Sequence, residues 1–382
     1  MSIPFRLAPF KSANGAVARS INDRFGDVVD VSEFANLHEG AGTFGSWLGD
    51  DAPCFQAAFD KAFTTDGVPN GWDNRHLNKP VRIPRGRFVW GSTVTLTKVV
   101  GGHIYGPGKH SSQIWGPWQA EDSPTLLPSL HLNGCSDLCL DKFSVHSGGN
   151  GGGWHRATNT CCVLIDWDGD DSDNGCDGNH GNHFQEMQHG GGEFGIVIGS
   201  DAASEGHGML FINTNVAANT GGANDGLTGY LMRGPKSSAL AIGGGSNYHA
   251  SGLSGSSGAW CPPGGGSFFS QGLAQGGNDV DFIMESGQMM HIGQLRSESI
   301  RLLKMNSGVV NVQCATGTSG MVEAIRIDGG ICNVEGCQLH DSGQIIGTGG
   351  KLALWGTNFG SSVTPLSGYS GEVVWNPLNV PA

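Results

Sequence analysis

Two pairs of carboxylates have spacings that matter for acid–base chemistry. Asp281 and Glu285 open and close the short apolar run DFIME, and Asp166 and Asp168 flank Trp167 at the head of DWDGDDSDNGCD. In an extended strand, same-face residues two apart lie ~6.5–7 Å from each other, and neighbours on adjacent strands ~4.8 Å. Cleavage of a glycosidic bond with inversion needs two carboxyl groups roughly 6.5–9.5 Å apart, one giving a proton and one activating water. Asp166 and Asp168 have that separation within one strand. From the sequence, crowding by Asp170, Asp171 and Asp173 is expected to disfavour ionisation of some of these carboxyls, which would help an acid and hinder a base. Asp281 and Glu285 are four residues apart, ~13 Å in a regular strand, so each needs a partner from a neighbouring strand or subunit. These four are the expected catalytic acids, set against the bland alternative that an outward charge is solvated surface.

Groups that would hold a substrate lie nearby in the sequence. Arg233, Lys304 and Arg326 supply cations, and Trp167 and Trp260 supply ring faces on which a sugar can stack, although core filling is the commoner use of tryptophan. Other chemistries find little support. The acidic run Asp166–Asp177 offers oxygen ligands for Ca²⁺, but it lacks the glycine at loop position six and the closing glutamate of an EF-type loop. No other metal or cofactor is expected. His180, His183 and His189 match no zinc spacing, and neither Cys135 with Cys139 nor Cys161 with Cys162 has a partner pair. No phosphate loop, nucleophile elbow or dinucleotide fingerprint is present.

The elements that must position these residues are read best between Asp281 and Phe359. Short apolar pieces (DFIME, MMHIGQL, RLLKM, VVNVQC, AIRID, ICNVEGC, QII, KLALW) alternate with gaps rich in Gly, Ser and Asn, the pattern of strands joined by tight turns. Aligning the second piece of each pair puts His291, Asn311, Asn333 and Leu354 in one column, at steps of 20, 22 and 21 residues. A repeat near that length signifies a solenoid, whose coils bury their apolar faces by stacking. Earlier pieces extend the pattern as two strands per coil: SLHLNG with LDKFSVH, Cys162–Asp168 with Phe184–His189, Ile196–Gly199 with Met209–Val216, and Tyr230–Arg233 with Ala239–Ile242. The segments 168–183 and 243–266 read as insertions, which in a solenoid commonly build the binding face. In the first strands, Val163, Ile165, Phe282, Met284, Ile325 and Ile327 face inward. That leaves Asp166, Asp168, Arg233, Asp281, Glu285, Lys304, Arg326 and Asp328 outside.

Composition agrees. Glycine is 65 of 382 residues, against a usual share of roughly 7%, as expected where strand ends repeatedly need positive φ. The net charge of −13, from 34 acidic and 21 basic residues, argues against nucleic acid or an anionic membrane as principal partner. The start, MSIPFRLAPFKSANG, has no apolar signal region, and no run is long enough to span a bilayer. Ten cysteines in such a chain are expected to be reduced and structural.

Near the N-terminus, Val31–Phe34 reads as a short strand. Asp50 and Asp51 precede APCFQAAFDKAF, whose Phe55, Ala58, Phe59, Ala62 and Phe63 fall on one helical face. Such a helix would cover the open end of the first coil. The expected organisation is a lead-in at 1–35, a capping region with a helix at 36–80, coils at 81–376 and a tail at 377–382.

The order and spacing of GAVARSINDRFGDVVDVSEFA, GDDAPCFQAAFDKAF, VRIPRGRFVWGSTVTL and IYGPG resemble the entry to the pectate-lyase-like β-helix of bacteriophage tailspikes. The first segment resembles the connector preceding that helix. The likeness covers about the first 115 residues. The family's GDGxxDD run is shortened to Gly49–Asp50–Asp51, and the chain ends soon after its last coil without a large trimerisation module. The resemblance implies an all-β, right-handed, single-stranded parallel β-helix with a short N-terminal capping helix. It further implies a virion tail protein, assembled in the host cytoplasm as a homotrimer and joined through its N-terminus to other tail or baseplate proteins. Such a protein binds a bacterial surface polysaccharide and usually hydrolyses it. Two alternatives stay open: a non-catalytic receptor-binding or structural tail protein, and a polysaccharide lyase. The lyase would need a basic groove, for which Arg301, Lys304 and Arg326 are the candidates.

Overall fold

The computed structural model describes residues 28–65, 68–69, 77–116, 123–147, 158–167, 179–200, 206–217, 227–247, 255–317, 321, 323–339, 344–359 and 366–375. Over these the chain is a right-handed parallel β-helix. Each coil has three strands where the sequence suggested two. One coil runs Val280–Met284, Met289–Gly293 and Arg296–Glu298, and the next runs Arg301–Met305, Val309–Gln313 and Thr316–Gly317. Every strand pairs in parallel with its counterpart one coil on, giving sheet I (11 strands), sheet II (13 strands) and sheet III (11 strands). Sheet III escaped the sequence reading because its strands, such as Arg296–Glu298 and Thr316–Gly317, are too short to display a period of two.

The repeat is real, with one slip. His291 pairs with Asn311 and Asn311 with Asn333, but Asn333 pairs with Ala353, while Leu354 pairs with Val334. Leu354 is fully buried. Moving it by one residue would turn its apolar side chain out to solvent, so burial fixes the register.

A single residue turns the chain from sheet II into sheet III. At each such corner sits a positive φ, carried by Lys142, Glu186, Asn213, Gly243, Gly272, Gln294, Cys314, Gly336 and Gly356 in successive coils. Their N–H groups donate to the following coil, as from Gln294 to the Gln313 carbonyl (2.9 Å) and from Cys314 to the Glu335 carbonyl (3.0 Å). Glycine is therefore one occupant of the corner among several. The residue after it points inward, and Phe143, Met187, Leu273, Leu295, Ala315 and Cys337 are all buried.

The interior is one continuous stack. Phe184, Phe211, Tyr230, Phe268 and Phe282 form an aromatic ladder with successive ring centroids 4.8, 5.3, 5.3 and 6.3 Å apart. Cys261, Cys332 and Cys337 fill inward positions, where burial pushes their thiols up. At the N-terminal end the helix Ala52–Phe63 lays Phe55, Phe59 and Phe63 on the first coils, with the Phe55 ring 5.1 Å from both Phe88 and Trp90. Asp51 is buried beside it and accepts from the Val89 N–H at 3.1 Å and pairs with His38 Nδ1 at 2.7 Å.

Val31–Leu37 is a 3₁₀ helix, not the expected strand. Asp30 and Glu33 form a reciprocal capping box at its start, which supplies the orphan N–H groups with acceptors. The strand lies one step earlier, at Val29–Asp30, paired with Val81–Arg82. Of the supposed insertion 243–266, Gly245–Asn247 and Ser257–Cys261 are strands of sheets III and I. Segments 148–157, 168–178, 201–205, 218–226 and 248–254 lie outside the described residues, and with them most of the insertion expected at 168–183.

Candidate active site on the outer face of sheet I

Strands of sheet I present two outward columns. One holds Leu164, Val197, Leu231, Trp260, Ile283, Lys304 and Arg326 in register. The other lies two residues further along each strand. There the ladder continues past the strand ends, with N–H donation from Glu285 to the Cys261 carbonyl, Asn306 to Met284 and Asp328 to Met305.

The face divides along its length. In its N-terminal half Leu164, Val197 and Leu231 are buried and join Cys161 and Phe194 in a small apolar cluster separate from the main core. In its C-terminal half it becomes polar, and Trp260 stands at the boundary. Glu285 accepts on both oxygens: from Trp260 Nε1 at 3.0 Å and from Asn306 Nδ2 at 2.8 Å. Asp328 accepts from Arg326 Nε at 2.7 Å, and from the Thr348 N–H and hydroxyl, each at 3.2 Å. Partial burial pushes the Asp328 carboxyl up. The hydrogen bond and charge of Arg326, with the Thr348 donors, outweigh it and leave the value below that of a free carboxyl.

Glu285, Asn306 and Asp328 are successive rungs of one column. Their outer members are two strand spacings apart, roughly 9.5 Å between Cα atoms. That places two half-exposed carboxylates near the separation of an inverting acid–base pair. Lys304 lies in the adjacent column between Ile283 and Arg326, with no ion pair within 4 Å among the described residues. Arg233 shares the column of Glu285 two coils earlier. It donates to the Ser200 carbonyl at 3.2 Å and lies 5.9 Å from the Phe194 ring centroid.

Other expected site residues are elsewhere. Asp281 does not face outward and has no exposed surface. In these strands the second and third residues both turn inward, as Leu302 with Leu303 and Ala324 with Ile325 also show, so alternation counted back from Phe282 fails at this position. Asp281 accepts from Asn278 Nδ2 (3.1 Å), Ser299 Oγ (2.5 Å) and Ser297 Oγ. Burial pushes its carboxyl up to about 6 against the pull of those three donors. A glycan on the surface has no route to it.

Asp166 is nearly buried and pairs with His131 Nε2 at 2.5 Å. It lies four coils from Glu285, ~19 Å along the stack, so Asp166 and Glu285 do not share one site. Trp167 is buried rather than offered to a sugar. A Cβ on Gly134 would fall 2.2 Å from its ring, and the Lys98 ammonium lies 5.2 Å from that ring's centroid. Asp168 and the rest of the run 168–177 lie outside the described residues. Among the described residues no three His, Cys, Asp or Glu side chains cluster as metal ligands, and no helix is long and apolar enough to cross a membrane.

Asp328 is legible in the sequence only as one outward charge among several. Its signal is positional: DFIME, RLLKMN and AIRID end on Glu285, Asn306 and Asp328, so aligning strand ends rather than strand interiors brings the two acids into one column.

No family model and no curated protein matches the sequence. Solved structures do match. A tailspike protein mutant of the E. coli bacteriophage HK620 in complex with a pentasaccharide superposes with a TM-score of 0.60 at 11% identity, over 98% of this chain and 70% of that one. An endo-xylogalacturonan hydrolase from Aspergillus tubingensis gives 0.52 at 9% identity, over 91% and 95% of the two chains. The catalytic unit of a thermostable GH87 alpha-1,3-glucanase from Streptomyces thermodiastaticus gives 0.50 at 10% identity, over 96% and 70%. At such identities the likeness establishes architecture, and the chain is a member of the parallel β-helix fold that these structures share.

Proposed function

We propose that this protein is a phage tail component that binds a bacterial surface polysaccharide along the outer face of sheet I and hydrolyses it there. In this reading it works as a homotrimer in the virion, attached through its N-terminal segment. The observation that carries the reading is the Glu285–Asn306–Asp328 column beside Trp260, Lys304 and Arg326. Asp328, held ionised by Arg326 and Thr348, activates water. Glu285 protonates the leaving oxygen across the gap that Asn306 spans. Trp260 gives a ring for a sugar to stack on, and Lys304 meets a substituent of the chain.

The test is incubation with host capsule or O-antigen and measurement of new reducing ends. Glu285→Gln and Asp328→Asn keep shape and remove the titrating group, so each is expected to lower the rate roughly 10²–10⁴-fold while glycan binding persists. Wild-type turnover in both variants removes the assignment. Binding without any reducing ends supports a receptor-binding role, and a rise in absorbance at 235 nm supports a lyase. The lyase is the weaker reading, because Arg301 and Arg326 are already engaged by Asp279, Glu323 and Asp328.

A further inference from the structure

From Arg233 onward, the described residues of the outer face of sheet I include four cationic side chains, and three of them are already held. Arg301 pairs with Asp279 and donates to Glu323 Oε2 at 2.9 Å. Arg326 donates to Asp328 at 2.7 Å, and Arg233 to the Ser200 carbonyl at 3.2 Å beside the Phe194 ring. The fourth, Lys304, is partly exposed, and its ammonium meets no acid or hydrogen-bond acceptor among the described residues. Its column runs Ile283, Lys304, Arg326 and Ile346, so two cations occupy neighbouring rungs between two apolar ones. Like charges facing each other across neighbouring strands destabilise a sheet, and Asp328 answers only Arg326. In a chain whose acids outnumber its bases 34 to 21, this is a local excess of positive charge that no described residue balances.

We infer that Lys304 selects a glycan bearing an anionic substituent, a carboxylate or a phosphate, on the sugar next to the cleaved bond. The inference rests on the sheet I site proposed above and names the class of glycan that site takes. Position carries it. Met305 is buried between Lys304 and Asn306, so these two both face outward, ~6.5–7 Å apart on one strand. Asn306 spans the gap between Glu285 and Asp328. A sugar whose bond lies over that gap therefore reaches across to the Lys304 column with its ring substituents. An anion there meets the free ammonium and relieves its repulsion with Arg326, which a neutral group leaves in place. The ammonium is a point charge with three N–H donors and no planar fork, so it takes a carboxylate or a phosphate alike. Without Lys304 the same anion would meet Glu285 and Asp328 with like charge, so this one side chain turns a repelling site into a selective one.

Kinetics on capsule or O-antigen extracted from the host test the inference. The glycan is used native, after carbodiimide–borohydride reduction of its carboxylates, and after removal of its phosphates with aqueous hydrofluoric acid. Lys304→Met keeps the apolar stem and removes the charge. On native glycan it is expected to raise KM roughly 10–100-fold, the range of a charge-assisted hydrogen bond, with kcat within about twofold of wild type. Lys304→Arg is expected to recover most of that loss. The wild type should lose the same factor on one of the two treated glycans, and which one it is identifies the anion as carboxylate or phosphate. On that glycan the wild type and Lys304→Met should coincide, which a packing role for the stem would not produce. A wild type indifferent to both treatments overturns the inference, as does a Lys304→Met protein with the wild-type KM on native glycan, or one equally impaired on native and treated glycan. Binding isotherms of the same proteins keep the two ideas apart. Binding that depends on Lys304 and on the anion, without reducing ends, sinks the hydrolytic reading alone. Cleavage with no preference for charge sinks this inference alone.

Discussion

At the scale of single residues, Asp281 and Glu285 show how four positions in one strand separate a surface group from an interior one. Asp281 ends up inside because the corner between sheets III and I turns two successive side chains inward, and Asn278, Ser297 and Ser299 supply donors that make the burial tolerable. Its folded pKa of about 6 lies above the 3.8 of a free carboxyl, so the fold prefers the protonated form. The stability this contributes is fully present below pH ~4, falls as pH rises through ~6, and stays lost above, a span of roughly 2–3 kcal/mol. Asp281→Asn is therefore expected to flatten the midpoint of chemical denaturation against pH between about 4 and 6, relative to wild type. A variant with the wild-type slope would mean that Asp281 titrates normally. Its glycan turnover should be unaffected, whereas a surface catalytic acid would lose activity.

At the scale of the element, the corner from sheet II to sheet III decides which substitutions are cheap. Gly336 occupies it at φ +60, and its nearest obstacle to a Cβ is Cys314 Sγ at 3.7 Å, an ordinary contact. Only the left-handed backbone opposes a side chain there, and Lys142, Glu186 and Gln294 already accept the same strain in other coils. Gly336→Ala is expected to cost about 1 kcal/mol. Gly347 differs, since a Cβ would sit 1.8 Å from the Ile327 carbonyl oxygen, in the backbone of the neighbouring strand. Gly347→Ala must push two strands of sheet I apart and should cost several kcal/mol, more than any ordinary core substitution of one methyl. Urea midpoints of the two variants settle the ranking, and equal losses would refute the strand-contact argument.

At the scale of the molecule, stability comes from stacking of coil on coil, so an exposed end is where unfolding begins. The helix Ala52–Phe63 closes one end with Phe55 packed between Phe88 and Trp90. Phe55→Ala removes that plug and is expected to cost ~3–5 kcal/mol. The loss should be local first: amides of Val81–Arg82 and Gly86–Val89 are expected to exchange faster than those of Val309–Gln313. Uniform acceleration along the rod would show that the coils unfold as one unit. The same geometry sorts function by face. Sheet I carries the charged site over its last coils, and sheet II carries five of the eight exposed large hydrophobic side chains among the described residues.

The amino-acid sequence alone determined the solenoid, its repeat near 21 residues, the inward set Phe282, Met284, Ile325 and Ile327, and the capping helix. Each of these follows from local periodicity, which a chain displays without reference to its neighbours. It also marked Glu285, Lys304 and Arg326 as outward charges and Trp260 as a ring on which a sugar could stack. Tertiary structure alone decided the third sheet, whose strands are too short to show a period, and the register that puts Ala353 rather than Leu354 beside Asn333. It alone withdrew Asp281 and Trp167 from the surface, and set Glu285 and Asp328 in one column two coils apart. Register between coils depends on contacts some 20 residues apart, and a corner can turn two neighbouring side chains the same way. Neither is written in the alternation of a single strand.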